Sequence, residues 1–375
     1  MNLPIRVLVV DDSAFTRKVV SDMLGSDPDI TVVDIARDGK AAVEKARALQ
    51  PDVITMDVEM PVMDGLAALR AIMSERPVPV VMLSALTQEG AATTIRALEL
   101  GAVDFVAKPS HSMTVGLGEV RDQLVAKVKL AARAKVHVPR LARPGVDGTA
   151  GGGPRPSSGV PGEAASRGDR RHLGQGARQG AGPGEECDTV VVIGASTGGP
   201  SALNQVLPAL PADLSAGVLI VQHMPPGFTK SLAARLAETS AIAVKEAESG
   251  DKLTDGVAFV APGGYHMLLT ADGEVALSTE PPRNGVRPSV DATMESAARV
   301  YGDRLVGVVL TGMGRDGAAG MAAIKAAGGR TIAEHESSCV IYGMPKAVVD
   351  QGLADLVVPL QEVAGAIVQM VNQIR

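Results

Sequence analysis

The chain has 375 residues, which is longer than an ordinary single domain and favours two domains with a linker between them. Hydrophobic residues make up 46% of the sequence but aromatic residues only 2%, so the cores must be packed from aliphatic side chains, as is typical of α/β proteins. The formal net charge of -6 provides no basic footprint for nucleic acid, and we expect no nucleic-acid partner.

From Arg6 to about Ala132, short apolar runs alternate with amphipathic helical stretches. Strands are predicted at RVLVVDD, ITVVDIA, DVITMDV, PVVMLSA and DFVAKPS. Five successive β/α units predict a parallel, doubly wound sheet, because parallel strands need crossover helices that cover both faces. Ligands of such sheets bind at the carboxyl ends of the strands. We assign residues 1–132 to this first domain.

The segment 133–187 has a different composition. Beyond residue 140 it is dense in Gly, Pro, Ser and Arg and nearly free of large apolar side chains. It cannot bury enough surface to fold, so we expect a flexible linker. Its arginines could contact an acidic partner, although a solvated tether is the simpler interpretation. These arginines are Arg155, Arg167, Arg170, Arg171 and Arg178.

A second α/β pattern runs from Thr189 to Arg375. Strands are predicted at TVVVIGAS, GVLIVQH, GVAFVAP, HMLLT, RLVGVVLT, RTIAE and LADLVVP, and helical stretches follow most of them. This pattern predicts a second doubly wound domain over residues 188–375, with no period that would indicate a solenoid.

Polar side chains follow the predicted strands of the first domain. Asp11 and Asp12 end the first strand, Asp57 the third, Ser84 the fourth and Lys108 the fifth. These groups should converge on one edge of the sheet. Three carboxylates in a small space repel one another unless a hard cation such as Mg²⁺ neutralises them. Lys108 adds a positive charge that could pair with a phosphoryl oxygen or a carboxylate.

The motifs DDS at 11–13, MDVEMPVMDG at 56–65, MLSA at 82–85 and KP at 108–109 resemble the response-regulator receiver family. The resemblance covers about the first 125 residues. It implies a flavodoxin-like receiver domain that is phosphorylated on Asp57 and binds Mg²⁺ for that reaction. The implied metal ligands are Asp11, Asp12, Asp57 and the backbone carbonyl of Glu59.

The same resemblance implies that Ser84 and Lys108 contact the phosphoryl group. Many receivers carry Thr where this chain has Ser84. Phe105 would occupy the aromatic switch position, and plain core packing of its ring is an equal alternative.

In the second domain, the strand TVVVIGA delivers Ser196 into GASTGGP, immediately before a predicted helix. Gly194, Ser196 and Gly198 match the G-x-S-x-G nucleophile elbow, in which a sharp turn exposes the hydroxyl. The amides of the following helix could stabilise an oxyanion. A serine in a glycine-rich turn is more often a simple helix cap, so this motif alone is weak.

A serine nucleophile needs a base, and the base needs a carboxylate to orient it. His223 ends the strand GVLIVQH at the edge where Ser196 should emerge, and it is the preferred base, with His266 second. Asp316, in VVLTGMGRDG after a later strand, should lie at the same edge. The order Ser, His, Asp differs from the Ser, Asp, His order of the α/β-hydrolases.

The segment GMGRDG at 312–317 also has the G-x-G-x-x-G spacing of a dinucleotide site, and Glu334 follows near the spacing of a ribose-binding acid. Asp316 would then sit in the loop where a pyrophosphate approaches the helix, and two like charges there would repel strongly. A carboxylate in this loop is better suited to holding a histidine.

Taken together, GASTGGP, VQHMPPGFT, APGGYHM, TGMGRDGAAGM and SCVIYGMPKAV resemble the catalytic domain of the chemotaxis protein-glutamate methylesterases, the CheB family. The resemblance covers about residues 188–375 and implies a Rossmann-like domain. Ser196 would be the nucleophile, His223 the base and Asp316 the orienting acid. The backbone amide of Met313 would be an oxyanion donor, and Thr197 would line the site.

The family implies hydrolysis of glutamate γ-methyl esters on chemoreceptors, with release of methanol, and deamidation of receptor glutamines. A chemotaxis histidine kinase would phosphorylate Asp57, and the unphosphorylated receiver would cover the active site. The esterase would need no cofactor. The alternative is a receiver joined to a nucleotide-binding or purely interacting effector, in which Ser196 only forms a turn.

The two cysteines, Cys187 and Cys339, cannot build a disulfide framework and suit a reducing compartment. Cys339 invites a thiol-nucleophile interpretation, but a buried small hydrophobe is the better expectation. Since we find no apolar stretch long enough to span a bilayer and no cleavage signal, we expect a cytoplasmic protein that does not insert into membranes. We also expect a monomer.

Overall fold

The structure is a computed structural model that describes residues 3–85, 87–108, 117–135 and 187–374. Most of the predicted linker 133–187, including its arginines, lies outside the described residues. So do Pro109 and three histidines that we did not favour as bases, His111, His137 and His172.

The first domain contains a five-stranded parallel sheet with the strand order β2-β1-β3-β4-β5. This order and the helices between the strands confirm the predicted doubly wound, flavodoxin-like fold. The strands are β1 (Ile5–Val10), β2 (Ile30–Ala36), β3 (Val53–Asp57), β4 (Val80–Ser84) and β5 (Asp104–Ala107). The helices are α1 (Ala14–Gly25), α2 (Gly39–Leu49), α3 (Gly65–Glu75), α4 (Gln88–Glu99) and α5 (Leu117–Ala131).

The first four helices start at short polar residues. Each cap has extended backbone angles, and its side-chain oxygen accepts a hydrogen bond from an amide in the first turn, which would otherwise lack a partner. The caps are Ser13, Asp38, Asp64 and Thr87.

The second domain is built on a seven-stranded, all-parallel sheet with the order β14-β13-β12-β6-β7-β9-β8. The strands are β6 (Val190–Ala195), β7 (Gly217–Gln222), β8 (Ala243–Glu246), β9 (Val257–Val260), β12 (Leu305–Val309), β13 (Arg330–Glu334) and β14 (Leu356–Val358). The helices are α6 (Gly199–Val206), α7 (Phe228–Thr239), α8 (Val290–Tyr301), α9 (Ala318–Ala326), α10 (Met344–Asp350) and α11 (Leu360–Ile374).

Two strands of this domain were not predicted, and one was predicted in the wrong setting. The segment HMLLT forms β10 (His266–Leu269), which pairs antiparallel with β11 (Val275–Ser278) in a separate hairpin instead of joining the main sheet. The missed β8 lies at the sheet edge and alternates exposed and half-buried residues, so it lacks the apolar run of a central strand.

The chain order of the central strands creates a crevice at the carboxyl ends. From β6 the chain moves to β7 on one side, and it later returns to place β12 on the other side of β6. Such a switch of direction opens a space beyond the strand ends where ligands bind in doubly wound sheets. The residues that follow β6, β7 and β12 border this space.

The two sheet domains pack against each other as one compact unit. One cluster of buried apolar side chains runs from Ile95 and Phe105 in the first domain to Leu203 and Phe228 in the second. No helix in the described part of the chain is long and apolar enough to cross a membrane.

Candidate active site and phosphoacceptor site

Ser196 lies directly after β6, at the start of the turn into α6. Its amide donates a 3.0 Å hydrogen bond to the carbonyl of Thr311, which follows β12, and its own carbonyl accepts a 2.7 Å bond from the amide of Gly199. Gly198 has φ +80, in the left-handed region that other residues rarely adopt. The glycine is therefore what permits the sharp turn from strand to helix and leaves the Ser196 side chain at the strand end.

His223 follows β7 and faces the loop after β12. Its Nε2 lies 2.8 Å from Oδ2 of Asp316. Its amide donates to the carbonyl of Ala195, the residue before Ser196, at 3.1 Å. With the Nε2 proton directed to a carboxylate, the neutral imidazole has its lone pair on Nδ1. That nitrogen is therefore the one available to accept a proton.

Asp316 is 2% exposed, and hydrogen-bond donors surround its carboxylate. Burial opposes ionisation, but the hydrogen bond and charge of His223, with the donors from α8, outweigh it and hold the pKa of Asp316 well below the usual value. The other donors are the amide of Val290 at 2.7 Å, the hydroxyl of Ser289 at 2.9 Å, the amide of Asp291 at 3.2 Å and the side-chain amide of Asn284 at 3.1 Å.

Asp316 and Asp291 cap each other's helices. Asp316 precedes α9 but accepts from amides at the start of α8, whereas Asp291 starts α8 and accepts 2.8 Å bonds from the amides of Gly317 and Gly320 at the start of α9. The anion-binding end of α9 is therefore filled by a carboxylate of the chain itself. Glu334, the ribose-binding residue of the dinucleotide interpretation, is fully buried and accepts from the Thr311 amide at 2.8 Å. Both findings argue against a dinucleotide site.

Ser196 and His223 line the same pocket of about 360 Å³. In the described residues no hydrogen bond joins the Ser196 hydroxyl to the imidazole. The first domain supplies part of the wall through Asp104 and Phe105. Thr197, also in the wall, donates a 2.6 Å hydrogen bond from its hydroxyl to Oδ2 of Asp104. The pocket is thus closed on one side by the neighbouring domain.

Met313 lies in the loop after β12 and is 50% exposed. The residues lining the pocket that holds Ser196 do not include it. The structure therefore brings Ser196, Thr197 and His223 to one cavity, with Asp316 behind the imidazole and Met313 at the surface.

Gln222 was missed by sequence reasoning. Its side-chain amide donates to the carbonyl of Ser196 at 3.0 Å and to the carbonyl of His223 at 3.2 Å, so it ties the two loops together. It is 2% exposed, and a Cβ on Gly199 would come within 2.0 Å of its Oε1. A buried polar residue at the end of the apolar run GVLIVQH was the available signal.

The remaining candidates lie elsewhere. His266 is buried on β10, where its Nε2 contacts the carbonyl of Pro281 at 3.1 Å. His335 is exposed, and its Nδ1 contacts the hydroxyl of Ser337. Cys339 is 1% exposed, and burial together with the charge of Glu334 raises the pKa of its thiol, which fits a small core residue and not a nucleophile.

In the first domain, Asp11, Asp12 and Asp57 offer carboxylate oxygens that all lie within 4.8 Å of one another. Asp11 and Asp57 are buried and Asp12 is exposed. Lys108 Nζ lies 2.6 Å from Oδ2 of Asp57 and 3.0 Å from Oδ2 of Asp11. Burial raises the pKa of Asp57 to about 6 and the charge of Asp11 adds to this, while Lys108 opposes both.

This cluster fits a hard divalent cation. Oδ2 of Asp11 is buried and has no aligned hydrogen-bond donor in the described part of the chain, despite the nearby ammonium group. One ammonium group cannot neutralise three carboxylates, and a cation held by them at this sheet edge would supply the missing positive charge.

Ser84 and Phe105 both lie on strands of the first domain's sheet, Ser84 on β4 and Phe105 on β5. The Ser84 hydroxyl is buried, accepts from Thr94 of α4 at 2.7 Å and donates to the carbonyl of Gly90 at 3.2 Å. The ring of Phe105 stacks on Phe228 of α7, with 4.4 Å between centroids. Phe105 therefore packs in a core, but one that spans two domains.

Comparison with known proteins matches two separate parts of the chain to two family models. The model of the response regulator receiver domain matches residues 7–115, and that of the CheB methylesterase matches residues 191–367. A protein-glutamate methylesterase/protein-glutamine glutaminase of Symbiobacterium thermophilum is 56% identical over 99% of this chain and 98% of its own length. The chain belongs to the CheB methylesterase family with an N-terminal receiver domain.

A second relative is also similar over almost its whole length. The protein-glutamate methylesterase/protein-glutamine glutaminase of Pyrococcus abyssi is 48% identical over 99% of this chain and 95% of its own length. The crystal structure of the Thermotoga maritima CheB methylesterase catalytic domain is 46% identical, covers 49% of this chain and 98% of that chain, and has a TM-score of 0.48.

Proposed function

We propose that this family member hydrolyses glutamate γ-methyl esters of chemoreceptors through Ser196, His223 and Asp316. Ser196 Oγ attacks the ester carbonyl carbon as its proton passes to Nδ1 of His223. Asp316, ionised at the other ring nitrogen, fixes the tautomer and stabilises the imidazolium. The tetrahedral intermediate expels methanol, which takes the proton from His223.

Water then attacks the acyl-serine while His223 takes its proton. His223 passes that proton to Ser196 Oγ as the acyl bond breaks, which releases a free glutamate side chain and restores Ser196. The amide of Met313 is proposed to stabilise the oxyanion, and Thr197 is proposed to line the site. The same steps on a primary amide would release ammonia and convert a receptor glutamine to glutamate. No step requires a cofactor in this domain.

The single observation that carries this proposal is the 2.8 Å contact between His223 and a buried, ionised Asp316, beside a serine in the same pocket. Conversion of Ser196→Ala should abolish methanol release from methylated receptor membranes while the fold is retained. Ser201→Ala, a change of the same type at the third residue of α6, is the matched control and should remain active. Near-normal activity of the Ser196 variant would refute the assignment.

Control is proposed to act through Asp57. A chemotaxis histidine kinase would transfer a phosphoryl group to this carboxylate, with Ser84 and Lys108 as contacts and Phe105 as the aromatic switch. Asp11, Asp12, Asp57 and the backbone carbonyl of Glu59 would hold Mg²⁺, which supplies charge neutralisation at the phosphoryl oxygens. Lys108, now paired with two carboxylates, would move to the new anion.

The unphosphorylated receiver is proposed to restrict substrate access. Supporting this, Asp104 and Phe105 of the receiver form part of the wall of the pocket that contains Ser196. Phosphorylation would then shift the population toward an open arrangement. Removal of residues 1 to about 185, ahead of the proposed catalytic domain 188–375, should raise basal methanol release. Equal or lower activity of that fragment would point to activation by another route.

The setting follows from the substrate. We propose that the chemoreceptors and the histidine kinase that phosphorylates Asp57 are the partners of this protein, and that it meets them in the cytoplasm. Residues 133–187 are proposed as the tether that allows the two domains to separate.

A further inference from the structure

A tight hairpin lies over the proposed catalytic acid. The amide of Arg283 donates to the carbonyl of Val286 at 3.1 Å, and the amide of Val286 donates back at 2.9 Å. The two central residues, Asn284 and Gly285, have φ values of 52 and 79, both left-handed. This Asn-Gly sequence with two positive φ values is the signature of a type I′ turn.

The hairpin is anchored to α8. The guanidinium of Arg283 makes two hydrogen bonds to the carboxylate of Glu295, at 2.8 and 2.7 Å. This paired geometry fixes the turn to the second turn of α8, where Glu295 lies. The next residues, Val286 and Arg287, line the pocket that contains Ser196. The turn is therefore continuous with the wall of the active site.

From this position the Asn284 amide reaches two buried carboxylates. Its Nδ2 lies 2.9 Å from Oδ2 of Asp291 and 3.1 Å from Oδ1 of Asp316. The two acids are 3% and 2% exposed. An amide nitrogen has two hydrogens, and here each is directed to one of two like charges. The carboxylate of an aspartate, which only accepts, or the methyl of an alanine at this position could not replace those donors.

We propose that Asn284 is a positioning residue for the proposed hydrolysis, since its amide bridges Asp291 and Asp316 and keeps Asp316 fixed and ionised behind His223. This role rests on the proposed function. Asn284 itself touches neither the imidazole nor the Ser196 hydroxyl within the described residues, and it acts through Asp316.

The electrostatic effect of the bridge has a definite sign. Burial and the nearby charge of Asp316 raise the pKa of Asp291, whereas the pKa of Asp316 is lowered, so a proton added to the pair would go to Asp291 first. The charged and titratable groups around Asp316 are His223 after β7, Asp291 and Glu295 on α8, and Arg283 in the turn. Removing the positive end of the Asn284 amide makes the local potential more negative and makes protonation of the cluster easier.

The decisive variant is Asn284→Gly in the full chain, because glycine adopts the left-handed turn without strain and removes only the amide. We expect kcat for methanol release to fall about tenfold, the size associated with one hydrogen bond to an ionised group, with KM little changed. The acid limb of the pH–rate profile should move to higher pH. Gln50→Gly, which replaces another left-handed residue at φ 50 far from the site, is the matched control and should behave as wild type.

Asn284→Asp gives a second measurement that keeps the size of the side chain and tolerates the turn. It replaces the donor by a third carboxylate, so the acid limb should move further up than in the glycine variant. A wild-type kcat and pH profile in either variant would overturn the inference. So would a loss of activity in which the acid limb stays in place, since that marks a purely structural role. Retained activity in Ser196→Ala would instead remove the proposed function itself.

Discussion

The hydroxyl of Thr197, the residue after Ser196, donates a 2.6 Å hydrogen bond to the carboxylate of Asp104 in the receiver domain. The same carboxylate accepts a 2.7 Å bond from Lys127 of α5, which also donates to the carbonyl of Phe105. The receiver strand β5 thus contacts the turn that carries the proposed nucleophile. A change in β5 on phosphorylation would be felt one residue away from Ser196.

Asp104→Ala should therefore raise basal methanol release of the unphosphorylated full chain. The lost bond joins a hydroxyl to an ionised group, and we expect an increase of up to roughly tenfold. Basal turnover of methylated receptor membranes measures it. Asp122→Ala, which removes an exposed carboxylate of α5, is the control. If Asp104→Ala lowered activity, the contact would be supporting catalysis and not restricting it.

A second contact between the domains can be tested by charge reversal. Arg235 of α7 lies 2.5 Å from Glu99 of α4, and both side chains are only partly exposed. Glu99→Arg should raise basal activity a few-fold, because two arginines would then face each other. The double variant Glu99→Arg/Arg235→Glu should return activity toward wild type. The effect of the single variant should also weaken as salt is added, because screening reduces interactions between exposed charges. Equal activity of single and double variants would exclude an ionic contribution.

Much of the fold follows from local pattern. Central strands such as β1 and β6 are continuous apolar runs, and Ser13 or Asp38 caps a helix by a rule that involves only neighbouring residues. The strand β8 escaped because an edge strand needs no apolar run. The hairpin β10–β11 was not predicted, because the sequence of HMLLT does not show which strand it pairs with.

The site divides in the same way. Topology directs residues at the carboxyl ends of neighbouring strands to one crevice, so His223 and Asp316 could be paired from the sequence. Gln222 and Asn284 could not, since their roles depend on where a side chain points and which carboxylate it meets. The exchange of caps between Asp291 and Asp316 likewise depends on how α8 and α9 pack, which no spacing rule provides.

The raised pKa of Asp57 predicts a pH-dependent gain in stability for Asp57→Asn. The pKa of Asp57 is about 6 in the folded state against an ordinary value of 3.8, so ionisation of this carboxyl destabilises the folded state. This destabilisation is absent below about pH 4 and reaches its full size above about pH 6. Without divalent cation, Asp57→Asn should raise the free energy of unfolding at neutral pH by on the order of 2 kcal/mol. The loss of the ion pair between Lys108 and Asp57 reduces this gain.

Thermal unfolding of the receiver from pH 4 to pH 8 measures this difference. Added Mg²⁺ should stabilise the wild type and narrow the gap, because it binds the folded carboxylate cluster. A difference that grew as the pH fell would have the wrong sign and would contradict the assignment.

Gln222→Ala should reduce kcat by roughly tenfold, because two hydrogen bonds of the order of 1 kcal/mol each hold the carbonyls of Ser196 and His223 in register. The substrate does not need these bonds in order to bind, so KM should change little. Methanol release over a range of receptor concentrations separates the two parameters. Gln351→Ala, which removes one exposed bond to the carbonyl of Ala347, is the control. An unchanged kcat would show that the two loops keep their spacing without Gln222.

The exchange of carboxylates between Asp291 and Asp316 also bears on how this protein can diverge. Each acid caps the first turn of the other's helix, so loss of either one would fray the start of α8 or α9. A descendant without Asp316 would therefore lose both activity and the ordered start of α8. The hydroxyl of Ser196 caps no helix that the structure describes. In a pseudoenzyme that still bound receptors but no longer hydrolysed them, we therefore expect Ser196 to be replaced first and Asp291 and Asp316 to be retained.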